Sequence, residues 1–122
     1  MGLTEFTFCA RFVIMHIEWS SEKDKKAVLR LAQQNRVTAR RMNAIKASKN
    51  FRDIEHPSTG RAHFLKNDLA GYFAIDLEGK TRPARLICQP AGDCRQDEQG
   101  FYIKETVTEF IVIKIEKDYH KK

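Results

Sequence analysis

Seven side chains in this 122-residue chain make a candidate set for moving protons and holding phosphate: Arg61, His63, Lys66, Arg85, Asp118, Tyr119 and His120. Histidine titrates near neutral pH and can serve as general base or acid. Lysine and arginine stabilise developing negative charge, arginine by bidentate contact with phosphate. Tyrosine can stack on a base or take part in proton transfer. Together these are the residue types that cleave RNA without a metal. One group takes the 2′-hydroxyl proton, cations hold the crowded phosphorane, and an acid protonates the departing 5′-oxygen. The first four flank or enter an apolar stretch and the last three close the chain, so the set is useful only if the fold joins the two groups.

The elements that must position them follow from apolar periodicity. Tyr72 to Leu77 and Ala84 to Gln89 are short apolar runs around a Glu78-Gly79-Lys80 break, and predict two antiparallel strands. Ser21 to Asp24 has the form of a capping box, opening a helix to about Gln34 with Ala27, Val28, Leu31 and Ala32 inward. After Asn35 a second helix is expected from Val37 to Lys49, with Val37, Met42, Ala44, Ile45 and Ser48 on one arc and Arg41 on the far side. Asn50 to Gly60 reads as a connector and Ala91 to Gly100 as a mobile polar loop. The last strand, TVTEFIVIKIEK, is apolar on both parities and therefore central, with Ile111, Ile113 and Ile115 in the core. Thr4 to Trp19 is strand-like but changes phase, and residues 1–14 are read as an N-terminal extension of one domain covering 1–122. The expected class is α+β, a two-helix hairpin packed on a small, mainly antiparallel, four-stranded sheet.

Composition narrows the partners. The net charge is +6, yet Glu22 to Arg52 alone carries ten Lys/Arg against two Asp/Glu, leaving −2 for the remainder. A segment of +8 points to a polyanion or an acidic protein, with Arg40, Arg41 and Lys46 as contacts. No apolar run approaches the roughly 20 residues of a spanning helix. Three cysteines without CxxC spacing and no evident signal peptide lead us to expect the cytoplasm. Neither cofactor nor metal is expected: Cys88, Asp93 and Cys94 lack a suitably spaced histidine, and Gly79-Lys80-Thr81 lacks the earlier glycine and following helix of a phosphate loop. No GxSxG elbow is present.

The stretches NFRDI, RAHFLKNDLAGYFAIDL, RLICQP and VIKIEKDYHKK occur in an order that resembles the RelE/ParE toxin superfamily, and within it the HigB-type toxins of type II toxin–antitoxin modules. The resemblance covers roughly residues 20 to 122. It implies a metal-independent endonuclease that cuts mRNA on the ribosome and inhibits translation. It also implies neutralisation by a cognate antitoxin, often one with a helix-turn-helix domain. His63 and Lys66 match the family's HxLK pair, Arg85 its phosphate-contacting strand arginine, and Asp118, Tyr119 and His120 its terminal DYH. There the histidine would be acid or base and the aspartate its orienter. Asn67 stands in place of a glycine, Cys88 in place of a phenylalanine, and Asp76 where other HigB toxins carry a second arginine. Two other readings share the fold: a gyrase-poisoning toxin, which would not need His63 or His120, and a non-catalytic RNA- or protein-binding module.

Overall fold

The computed structural model describes residues 15–77 and 84–117. It is α+β, with an open five-stranded sheet and a helical hairpin on one face. Strand β1 (His16–Trp19) leads through helix α1 (Glu22–Gln34) and helix α2 (Arg36–Lys46) to a single helical turn, α3 (Phe51–Ile54). Strands β2 (His63–Phe64), β3 (Phe73–Asp76), β4 (Ala84–Pro90) and β5 (Glu109–Lys117) follow. Their spatial order is β1-β5-β4-β3-β2; all neighbours are antiparallel except β1 and β5, which run parallel. The antiparallel β3–β4 pair and the central place of β5 are as the apolar runs predict. The fifth strand is the two-residue β2, too short to show a period of its own. The expected strand from Thr4 shows only its His16–Trp19 part within the described residues.

Caps account for the helix limits. The Ser21 hydroxyl accepts from the Asp24 N–H, starting α1 where the sequence places it. Asn35 serves both helices: its N–H donates to the Leu31 carbonyl and its side chain accepts from the Thr38 N–H. α2 ends at Lys46 rather than Lys49, where the Ser48 hydroxyl turns back onto the Ala44 carbonyl. The buried stripe of α2 is Thr38, Met42 and Ile45, while Val37 is 38% exposed. Arg41, expected on the far side, belongs with that stripe. It is half-buried and donates to the Asp76 carbonyl at 3.0 Å, while the Thr38 hydroxyl donates to the Leu77 carbonyl. The spacing 38, 41, 42, 45 is itself helical; a polar threonine at its start and an arginine within it hid it.

One core lies between the sheet and the helices, with Val28, Met42, Ile45, Phe73, Ile75, Leu86, Cys88, Phe110 and Val112 at its centre. An aromatic chain crosses it: Tyr102 stacks on Phe64 at 5.6 Å and Phe64 on Phe51 at 4.6 Å. Phe73 meets Phe51 edge-on at 5.0 Å and Phe110 at 5.3 Å. Phe51 and Ile54, expected in a connector, are fully buried and make α3 a structural plug. Phe110 and Val112 are the buried side of β5, whereas Ile111, Ile113 and Ile115 are only half-buried. A bulge between Ile87 and Cys88 in the register explains the mixed parity. It leaves Ile113 as the extra residue, so that Ile115 returns to the core face opposite Leu86. The polar loop after β4 is organised rather than open: the Asp97 carboxylate accepts from the Gln99 and Phe101 N–H groups. Cys88 is buried, and Cys94 is half-buried against the core.

At Gly60 the backbone passes close against β3. The φ of Gly60 is +101°, and a Cβ there would lie 2.6 Å from both the Asp76 carbonyl oxygen and Ile75 Cγ2. The carbonyl of Gly60 also accepts from the Asp76 N–H, fastening the turn before β2 to the end of β3. Gly60→Ala is expected to lower stability by about 3 kcal/mol, combining left-handed backbone strain with overpacking. Urea unfolding of the two proteins side by side measures it.

Candidate functional site

The position of His63 is set by its neighbour. Phe64 enters the aromatic stack with Phe51 and Tyr102, so β2 must present its core side at 64 and its other side at 63. The register carries this across the sheet. His63 pairs with Ala74, Ala74 with Ile87, and Asp76 with Arg85, all on the face away from the helices. Glu116 stands opposite Arg85 on β5, and Lys114 opposite Ile87. The face away from the helices thus brings His63 and Arg85 together, with Arg61 at its margin. By strand spacing their Cα atoms are roughly 12 Å apart, and Ala74 and Ile87, which lie between them on that face, are buried.

The His63 ring has a defined hydrogen bond. Its Nδ1 lies 2.9 Å from the Arg61 carbonyl oxygen. A carbonyl can only accept, so Nδ1 carries the hydrogen; in the neutral tautomer this leaves Nε2 as the nitrogen with the free lone pair. Arg61 is itself held in the left-handed region at φ +50°. Its side chain, mostly exposed, reaches back to Asp76 Oδ2 at 3.1 Å. Arg85, one-fifth exposed, donates through Nε to Glu116 Oε1 at 2.7 Å. Lys66 is exposed just beyond β2, preceding a short 3₁₀ turn at Asn67–Leu69. Asp118, Tyr119 and His120 lie outside the described residues, so their meeting with His63 and Arg85 is a matter for experiment.

The expected RNA-contacting residues fall into two groups. Arg40 and Lys46 are exposed on α2, on the helical side of the molecule, whereas Arg61 and Arg85 belong to the opposite face of the sheet. Arg41 joins neither group, because its guanidinium is engaged at the Asp76 carbonyl. A single flat contact therefore cannot use all the basic residues. Lys114 and Glu116 are the site residues that sequence reasoning passes over. Their signal is present, two charges alternating with isoleucines in IVIKIEK, but only the β4–β5 register places them beside Arg85. Among the described residues no three His, Cys, Asp or Glu side chains gather as a metal-binding set, and no helix is long and apolar enough to cross a membrane.

Burial pushes the Glu116 carboxyl up, but hydrogen bonds and charges from Arg85 and Lys114 outweigh it and hold the group below the ordinary carboxylate value. A carboxyl depressed by folding binds fewer protons folded than unfolded. It therefore stabilises the fold above its unfolded pKa, and that stability is lost as pH falls through the folded one. The difference in melting temperature between the native chain and Glu116→Gln is expected to shrink steadily from about pH 6 to about pH 3. A difference constant over that range would show that the pair adds no pH-dependent stability. Comparison of the chain with protein families, with curated proteins and with solved structures found no match.

Proposed function

We propose that this chain is the toxin of a type II toxin–antitoxin module, of the RelE/ParE superfamily and HigB type. On this reading it is a metal-independent endoribonuclease that cuts mRNA on the ribosome. The observation that carries the reading is that His63, Arg61 and Arg85 share one region of the sheet, with His63 turned so that its neutral tautomer leaves Nε2 with the free lone pair. The helical hairpin on a mainly antiparallel sheet is the architecture that the ordered motifs imply. In the proposed reaction His63 Nε2 takes the 2′-hydroxyl proton, and the freed oxygen attacks the adjacent phosphorus. Arg85, with Arg61 and Lys66, stabilises the phosphorane. His120, oriented by Asp118, then protonates the 5′-oxygen as its bond to phosphorus breaks, while Tyr119 stacks on a base. The exposed cations of the hairpin, Arg40 and Lys46 among them, would meet ribosomal RNA, and a separate antitoxin would hold the toxin inactive.

A second reading has its own support. Arg61 and Arg85 each have a carboxylate partner already, Asp76 and Glu116, which suits a non-catalytic module that binds RNA or protein by displacing those partners. Induced expression separates the two. Under the nuclease reading, message ends mapped after induction show codon-phased cuts. His63→Ala and His120→Ala are each expected to reduce cutting by about 10²–10⁴-fold, the usual worth of a general acid or base. Growth arrest and message cleavage that both survive the two substitutions would remove the nuclease reading.

A further inference from the structure

Glu116 has a second cation. Its Oε1 accepts from Arg85 Nε at 2.7 Å, and its Oε2 lies 3.4 Å from Lys114 Nζ. One carboxylate thus spans two positive groups, one oxygen to each. On the neighbouring strand Asp76 stands directly across from Arg85 in the register and is itself paired with Arg61. The row Arg61, Asp76, Arg85, Glu116 and Lys114 has three cations and two carboxylates, and so one positive charge in excess. Lys114 on the second oxygen of Glu116 turns a simple pair into a two-pronged cationic cradle. Lys114 is half exposed, so it is the prong an incoming anion meets first.

We infer that Arg85 and Lys114 form a phosphodiester-binding subsite in which Glu116 is the resident anion, displaced when single-stranded RNA binds. The choice of RNA rests on the nuclease reading above; the cradle itself rests on the geometry. A phosphodiester offers two non-bridging oxygens to the same two donors that now hold the two carboxylate oxygens. Exchange of one anion for the other leaves Arg85 charged and paired throughout, so no bare guanidinium is ever left in its partly buried position. Glu116 then has a double effect. It positions both cations before substrate arrives, and it sets a threshold that a single weakly bound phosphate does not pass.

The test is binding of a short single-stranded RNA oligonucleotide to the full chain, followed by fluorescence anisotropy at several salt concentrations. Glu116→Gln keeps the side-chain shape and removes the competing charge. It is expected to bind about tenfold more tightly, the worth of one charge-assisted hydrogen bond. Lys114→Ala should flatten the log–log salt slope by about 0.7. Inorganic phosphate should compete in both the native chain and Glu116→Gln. Unchanged affinity and slope in the two variants would overturn the inference, as would absence of RNA binding by both the native chain and Glu116→Gln. Polyglutamate competing better than RNA of equal charge would overturn the choice of a phosphodiester. If circular dichroism shows Glu116→Gln unfolded, Lys114→Ala decides alone. Cleavage is not read in this assay. Tighter RNA binding by Glu116→Gln with cleavage indifferent to His63 and His120 would keep the subsite and discard the nuclease.

Discussion

The pairing of β4 with β5 is the constraint on which the rest depends. It joins the parallel edge strand β1 to the antiparallel β3 and β2, so both halves of the sheet take their register from it. Its bulge between Ile87 and Cys88 decides which side chains of β5 meet the helices. Before it, Phe110 and Val112 enter the core; after it, the phase has shifted by one and Ile115 does so. That shift turns Lys114 and Glu116 to the other face, where Arg85 lies. Without the extra residue, continuous alternation would carry Lys114 and Glu116 to the core side, at the cost of burying two charges.

The aromatic chain does for β2 what the bulge does for β5. A two-residue strand at a sheet edge has little pairing of its own, and Phe64 anchors it by stacking between Phe51 and Tyr102. The single turn α3 exists to deliver Phe51 and Ile54 into that packing. Gly60 then lets the chain pass close against β3, and Arg61 follows in a left-handed conformation. The rigidity that fixes His63 therefore comes from hydrophobic contact on the opposite side of the strand. Position on one face is set by packing on the other.

The charge distribution gives the molecule two basic surfaces of different character. The cations of α1 and α2 are mostly exposed on the helical side and favour long-range attraction of a polyanion, which salt screens. Those of the sheet face are matched with carboxylates at short range and act locally. One surface brings a partner near; the other offers defined contacts once it is there.

By itself the sequence determined the α+β class, the capped first helix, the break at Asn35, the β3–β4 pair and the interior place of the last strand in the sheet. Each of these follows from short-range rules: caps, turn residues and apolar period act over a few residues and are written locally. It also named Arg61, His63, Lys66 and Arg85 with Asp118, Tyr119 and His120 as one candidate group, because their residue types and order are visible in the chain. Only the tertiary structure decided that Arg41 turns inward to the Asp76 carbonyl, that Val37 does not, and that α3 is a buried plug. The fifth strand, the bulge and the partnership of Arg85 with Glu116 and Lys114 were likewise decided there. These depend on strand register and on packing between elements distant in the chain, which no local pattern encodes. A single-residue slip would have reversed every one of those faces.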